Sequence, residues 1–586
     1  MHKENEKLVN LTINGIPLSV PADTTILEAA HKANIHIPTL CYLKERNEIG
    51  ACRICVVEVK GAKALAASCT CPVSDGMEVL TNSKRVRDSR TMTLELMLSN
   101  HDRRCLSCVR SGQCELQMLC QEYGITDESE FDGAKEVFTE DASTKWLVRD
   151  NNKCILCRRC VGVCQAQNVS VIGANNRGFD THIGCAFDKD LKKVPCIGCG
   201  QCIVVCPTGA LREKDDTDKV WDALSDPTKH VVVQTAPSIR TTLGEEFGMP
   251  IGTNVKGKMV SALRSLGFQK VFDTDFGADL TIMEEATEFI DRYTKGEKLP
   301  LITSCSPGWV NFCEAFYPEM IDNLSSCKSP QQMTGAMIKT WYAKKNNIDP
   351  NNIVSVSIMP CTAKKYEVTR PHQSAGGYSD VDVVLTTREL ARMLRRAHIS
   401  FPDLPDSDFD PAMGESTGAG AIFGVTGGVM EAALRTAADW LTGEDLDSLE
   451  YKQVRGTENI KEAEYTIAGN TFKVAAVSGT KSASEILDRI KAGEHFDFIE
   501  IMACPGGCIN GGGQPKHHSD VLNFVDLKGL RGGALYDEDE RLVLRKSHQS
   551  PLIKQVYDEF LEKPGSHVAH DLLHTIYIKK GMKVKK

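Results

Sequence analysis

A doubled cysteine run constrains this chain more than any other feature. Cys154, Cys157, Cys160 and Cys164 follow the spacing CxxCxxCxxxC, and Cys196, Cys199, Cys202 and Cys206 repeat it, closing on Pro207. In two-cluster ferredoxins the fourth cysteine of each such run ligates the other cluster. The expected ligand sets are therefore Cys154, Cys157, Cys160 with Cys206, and Cys164 with Cys196, Cys199, Cys202. Gln165 follows the first run where proline usually stands, a change that touches a turn and leaves every thiol in place.

The rest of the N-terminal region has the same character. Of the 24 cysteines, 18 fall at or before Cys206, so sulfur chemistry dominates the first third of the 586 residues. Residues 8–20, LVNLTINGIPLSV, alternate around Asn-Gly and predict a β-hairpin; DTTILEAAHKA then predicts a capped helix. Cys41, Cys52, Cys55 and Cys69 suggest a plant-type 2Fe-2S domain, with ten residues between the first two cysteines instead of four. A zinc ribbon would want two CxxC pairs, and only one is present. A stretch expected to be helical, 85–145, contains His101, Cys105, Cys108 and Cys114, a donor set that suits either a tetrahedral zinc or a 4Fe-4S cube. Beside the double run the cube is the expectation. Cys71, Cys120 and Cys185 are left over and read as small buried hydrophobes or free thiols.

Composition narrows the partners. A net charge of -9 speaks against nucleic acid, and no apolar run approaches the roughly 18 residues that span a bilayer. The opening MHKENEKLVN has no apolar signal-like core, so a cytoplasmic protein without membrane association is expected, and in that reducing compartment cysteines serve metals rather than disulfides. With 41% hydrophobic residues the chain can fill about three to five cores.

Beyond residue 217 the texture changes. HVVVQTAPS (230–238), KVFDTD (270–275), LPLITSC (299–305), IVSVSIMPC (353–361), VDVVLTT (381–387) and DFIEIMAC (497–504) are short β-branched runs separated by helical stretches, which predicts a largely parallel α/β sheet. Ligands of such sheets bind beyond the strands' carboxyl ends. Cys305, Cys361 and Cys504 each close one of these runs and Cys508 follows a short turn later, giving the four thiols a cube needs. The glycines of PGGCINGGG then allow the backbone to approach a bulky inorganic group.

TSCSPGW (303–309), MPCTAKKYE (359–367) and EIMACPGGCINGG (500–512) resemble the three signatures of the iron-only (FeFe) hydrogenases, and the resemblance extends over essentially the whole chain. It implies an α+β and α/β multidomain fold: a 2Fe-2S ferredoxin-like domain (1–84), a 4Fe-4S domain with one histidine and three cysteine ligands (85–145), a bacterial-type 2×4Fe-4S ferredoxin domain (146–216), a two-lobed α/β H-cluster domain (217–528) and a small-subunit-like C-terminal segment (529–586). It also implies one 2Fe-2S cluster, three accessory 4Fe-4S clusters and an H-cluster, in which a cube is bridged by Cys508 to a diiron unit carrying CO, cyanide and azadithiolate. Cys361 and Cys504 would be further cube ligands. The family reads Thr-Ser-Cys-Cys-Pro where this chain has Cys305 followed by Ser306, so a hydroxyl falls at the remaining ligand position. Either Ser306 coordinates, or Cys305 takes that place and the proton relay changes; thiolate suits iron–sulfur clusters far better than alkoxide.

By the same resemblance, Lys364, Ser238 and Gln331 would line the diiron pocket, Met359 and Met502 would pack on it, and Glu285, Glu288, Ser325 and Arg292 would relay protons to Cys305. From pattern alone the glutamates look like a solvated helix face, Lys364 a solvated strand end and the methionines core filler. GAGAIF (418–423) imitates part of a dinucleotide fingerprint without the strand that should precede it. The expected reaction is reversible hydrogen oxidation and proton reduction, with electrons exchanged with ferredoxin, with flavin-containing NAD(P)H-oxidising subunits, or with both, after loading by maturation proteins. The hydrogen couple lies near about −410 mV at pH 7 and plant-type clusters near about −400 mV, so wire and reaction are nearly isoenergetic. The alternative is a non-catalytic electron-transfer or hydrogenase-like assembly protein, which would keep the clusters and lose the diiron pocket.

Overall fold

The computed structural model describes residues 7–126, 131, 133–445 and 451–580. At the N-terminus β1 (Leu8–Ile13) and β2 (Ile16–Pro21) pair antiparallel with Ile13 opposite Ile16. Asn14 and Gly15 form the turn, both at positive φ (51° and 81°), the geometry that makes Asn-Gly a hairpin signal. Together with β3 (Val56–Val59), β4 (Ala66–Ala67) and β5 (Met77–Leu80) they form a sheet ordered β2-β1-β5-β3-β4. The helix Ile26–Lys32 begins at Thr25 with a reciprocal capping box to Glu28.

The 85–145 stretch is less helical than expected. It contains the helices Lys84–Ser99 and Glu115–Glu122, joined by an irregular loop holding His101, Cys105 and Cys108; residues 127–130 and 132 lie outside the described residues. Four side chains that must face one point cannot also keep helical spacing. In the dicluster module each cysteine run enters a short helix, Arg159–Ala166 and Gln201–Val204, from a residue in the left-handed region, Arg158 and Gly200.

The expected single sheet is instead two. In one lobe β6 (His230–Thr235), β7 (Lys270–Asp273), β9 (Ile353–Met359) and β10 (Val383–Thr386) run all parallel in the order β7-β6-β9-β10. In the other, β8 (Leu301–Ile302), β11 (Ile460–Ile467), β12 (Asn470–Ser478) and β13 (Phe498–Met502) are ordered β8-β13-β12-β11, with only the β11–β12 pair antiparallel. Buried on both faces, the central strands carry continuous apolar runs, which is why they are legible without alternation. The helix Asp275–Lys295 packs against the helices Pro330–Met337 and Gly428–Thr442 and buries its first half. C-terminal helices, among them Leu527–Arg541 and His567–Leu573, pack onto this core; Arg435, for instance, donates to both carboxylate oxygens of Asp539 at 2.8 Å.

Candidate cluster sites and active cavity

Four buried thiols meet in the N-terminal domain. Cys55 and Cys69 bring their sulfurs to 3.3 Å, and the Cys41 sulfur accepts from the Cys52 N–H at 3.5 Å. Sharing a proton within each pair lowers Cys52 to about 6 and Cys55 to about 7 and pushes their partners up. Thiols so poised give up protons to a metal readily. His101 is neutral at ordinary pH, because burial pushes its imidazolium down to about 4, and its Nδ1 has no hydrogen-bond partner. An orphaned, neutral imidazole in the loop that also carries Cys105 and Cys108, with Cys114 at the start of the helix that follows, suits a mixed site of one histidine and three cysteines.

The dicluster module separates its eight cysteines into two cavities. One is lined by Cys154, Cys157, Cys160 and Cys206, the other by Cys164, Cys196, Cys199 and Cys202, the exchange of fourth cysteines expected from spacing. Cys71 and Cys120 are half-buried and Cys185 is fully buried beside Arg149; none of the three lines these cavities.

The two sheets aim their carboxyl ends at one cavity. Residues after β6 (Ala236, Pro237, Ser238), β9 (Pro360, Cys361, Lys364) and β8 (Cys305) line a cavity of about 60 Å³, together with Met359, Met502, Gln331 and Cys508. Cys504 is buried beside Cys361, Cys508 and Cys199, so the second dicluster cavity adjoins the cysteines that follow β9 and β13. Here the late glycines find their use. A Cβ on Gly512 would run into the Cys199 carbonyl oxygen and the Gly200 backbone, and one on Gly507, at φ 95°, would lie 2.8 Å from the Thr426 nitrogen. Thr362 donates to the Gly198 carbonyl at 2.7 Å and Gln201 to that of Asn510 at 2.9 Å, locking the module to the cavity wall.

The cavity is apolar with a few directed polar groups. Lys364, only 8% exposed, donates to the Cys305 carbonyl (3.1 Å), Ser329 Oγ (2.8 Å) and the Glu367 carboxylate (3.0 and 3.2 Å). Gln331 is fixed by Ser357 and Glu367, at 2.8 and 2.9 Å. Ser238 Oγ is fully buried without a partner, an atom waiting for a ligand. Weakly polar diatomic ligands with one charged neighbour fit such a lining, and the buried thiols fit iron–sulfur ligation.

The adjacent Cys305 and Ser306 point different ways. Cys305 lines the cavity near Glu285 and Cys508, and burial with those neighbours holds its thiol well above its ordinary range. The Ser306 hydroxyl accepts from the Ala503 N–H at 3.2 Å, beside Cys504. Glu285 is not on a solvated face; burial pushes its carboxyl up to about 8 against the lowering influence of Ser325. Ser325 donates to Glu288 at 3.1 Å and Arg292 pairs with Glu288 at 2.5 Å; Glu285 lies near Cys305, Ser325 and Glu288, and its Oε2 is buried without a hydrogen-bond partner.

Sequence reasoning missed Thr274, Ala278, Phe423 and Gly424 in the lining, and Glu367 as the counterion of Lys364. Glu367 stood in the quoted motif, and its i,i+3 spacing could have found it. Phe423 ends the discounted GAGAIF, and no local signal marks it.

Comparison with known proteins agrees with this geometry. Residues 229–512 match the domain described as iron only hydrogenase large subunit, C-terminal domain; 6–84 match a 2Fe-2S iron-sulfur cluster binding domain, 90–129 the NADH-ubiquinone oxidoreductase-G iron-sulfur binding region, 153–210 a 4Fe-4S dicluster domain, and 526–580 the iron hydrogenase small subunit. The chain is 50% identical to the NADP-reducing hydrogenase subunit HndD of Solidesulfovibrio fructosivorans, covering 98% of this chain and 99% of that one, and 45% identical to iron hydrogenase 1 of Clostridium pasteurianum, covering 97% and 100%. The solved HydA1 of Chlamydomonas reinhardtii superposes with a TM-score of 0.56 at 40% identity, over 62% of this chain and 99% of that one. With both lobes, their converging cysteines and the cluster modules accounted for along its length, the chain belongs to the iron-only (FeFe) hydrogenase family.

Proposed function

We infer that this chain is a hydrogenase that interconverts dihydrogen with protons and electrons. The observation that carries the inference is the cavity at the meeting of the two sheets, where Cys305, Cys361, Lys364 and Cys508 converge beside the second dicluster cavity. When bound there, an H-cluster supplies heterolytic cleavage of dihydrogen and its reversal. The residues that would hold its cube are Cys361, Cys504 and Cys508.

The protein's own groups divide the remaining work. Met359, Met502 and Phe423 exclude water from the cavity, which strengthens every polar contact inside it. Lys364 brings a positive charge, held in place by Glu367, and Ser238 offers an unspent hydroxyl. The Cys305 thiol keeps its proton until a partner takes it, and Glu285, with a carboxyl near about 8, is the group matched to exchange it at neutral pH. Ser325 and Glu288 carry it outward, and Arg292 holds the Glu288 carboxylate in place.

The positions of Cys305 and Ser306 support Cys305 as the relay and Ser306 as the residue at the fourth cube position. A hard oxygen donor there would alter the cube's potential. Cys41, Cys52, Cys55 and Cys69 would hold a 2Fe-2S centre, His101, Cys105, Cys108 and Cys114 a cube, and the two dicluster cavities a cube each, groups that would supply electron transfer to the cavity. The 50% identity to a subunit named NADP-reducing favours a flavin-containing NAD(P)H-oxidising partner, with ferredoxin as a further electron carrier. The cytoplasm is the proposed site of action, and maturation proteins would load the cavity.

Maturated protein should evolve hydrogen from a reduced viologen, and Glu288→Gln should lower that rate about 100-fold or more while cluster spectra stay unchanged. Wild-type protein carrying all clusters but evolving no hydrogen would refute the reading.

A further inference from the structure

The relay is not bounded by Arg292. Residues from the C-terminal segment reach the same carboxylate from the other side. A ring nitrogen of His574, a carboxylate oxygen of Glu288 and the Cys327 sulfur all lie within 4.8 Å of one another. His574 Nδ1 is 2.8 Å from Ser326 Oγ, and the Ser326 N–H donates to Glu288 at 3.0 Å. His574 Nε2 is 3.1 Å from Glu284 Oε2, and Glu284 also accepts from the Tyr557 hydroxyl (2.5 Å) and the Gly565 N–H (2.9 Å). The exposed His570 ring stacks on His574, with centroids 4.6 Å apart and planes 12° apart. The backbone secures this arrangement: Lys328 N donates to the Leu573 carbonyl, Thr575 N to that of Ser326, and Tyr577 Oη to that of Ser325.

We propose that His574 is a second proton outlet for Glu288, parallel to Arg292, so that the C-terminal segment completes the proton path. This rests on the relay reading above. Arg292 cannot itself give up a proton at any ordinary pH, because guanidinium stays charged; it can only hold Glu288 and water. Imidazole, in contrast, accepts on one nitrogen and releases from the other near neutral pH. A proton leaving Glu288 passes across the short gap, directly or through the Ser326 hydroxyl, to His574 Nδ1, and His574, whose side chain is only 6% exposed, releases one from Nε2 to Glu284, the carboxylate that the exposed Gly565 also contacts. One proton enters and one leaves, and no electron moves. The groups facing the imidazole are Glu284, Glu288 and Cys327, with Arg292, Tyr557, Tyr577 and His570 in the surrounding shell.

The test uses full-length maturated protein. His574→Ala should cut hydrogen turnover about 3- to 10-fold, a modest share of the usual effect of a proton-transfer group. Free imidazole added to that variant should restore most of the loss and leave wild type unaffected. In an Arg292→Leu background the same change should bring the rate down to that of Glu288→Gln. The unfolding midpoint of His574→Gln, which keeps hydrogen bonding but carries no proton, should match wild type while its turnover matches that of His574→Ala. Unchanged turnover in both backgrounds, or a loss that imidazole does not repair, overturns the outlet. If Glu288→Gln itself runs at the wild-type rate, the relay reading fails first, and the two failures are thereby told apart.

Discussion

The 2Fe-2S domain and the dicluster module both feed electrons into the same protein, yet they are attached to it in different ways. The first meets the catalytic region through a polar strap: His36 pairs with Asp520 at 3.0 Å, the Lys44 N–H donates to Asn523 at 2.8 Å, and the rings of His31 and Phe524 stack at 3.7 Å. His36 and Asp520 keep 60% and 52% of their side chains exposed, so solvent screens the pair. The dicluster module instead joins by buried backbone contact. Gln167 donates to the Ala503 carbonyl at 2.9 Å, Thr362 to that of Gly198, and Gly512 lies flat on Cys199 and Gly200. On the proposed electron route every electron would cross this second junction, whereas the first would serve one port. Rigidity is concentrated where a change in distance would stop every turnover.

The difference can be broken at either junction. The largest effect is expected for Gly512→Val, whose branched side chain has no space against the Cys199 carbonyl: a loss of about 3 kcal/mol in stability or a displaced junction, seen as a lower unfolding midpoint and as hydrogen evolution that fails with a protein electron donor. Next comes Thr362→Val, which leaves the Gly198 carbonyl without its side-chain donor and should cost about 1–2 kcal/mol in chemical denaturation of the holoprotein. Smallest is Asp520→Ala, at under about 1 kcal/mol, and its effect should depend on pH. Asp520 raises the pKa of His36, so the His36 contribution is present below the unfolded histidine value and fades as pH rises through the raised one; Asp520 is lowered in turn, so its contribution fades as pH falls through its own lowered value. Wild type and variant should therefore differ most between about pH 4 and 6.5 and converge at alkaline pH. If Asp520→Ala proved as damaging as Gly512→Val, the contrast between strap and weld would be wrong.

Legibility followed the distance over which a signal is written. Hairpin, capped helix and the exchange of Cys164 and Cys206 are encoded within a few tens of residues, and spacing alone discloses them. The active cavity is assembled from segments more than 250 residues apart, from Ser238 to Cys508, and only the three motifs taken together reveal it. The strand runs alone read as one sheet because β8 is just Leu301–Ile302, too short to announce a separate partner set; the two lobes were legible only through the family resemblance. Glu285 looked like part of a solvated face because a periodic pattern does not disclose what will cover it; it is 1% exposed. His574 was invisible for the same reason, since its partners stand some 250–290 residues upstream.

The central claim is that sulfur ligands from both lobes close around a cavity that holds a diiron unit at the end of the cluster wire. Infrared spectroscopy of anaerobically maturated protein tests it most directly. The account predicts sharp bands of iron-bound CO and cyanide that shift when Lys364→Met removes the charge facing the cavity. A preparation carrying the full accessory-cluster signals but none of these bands would contradict it.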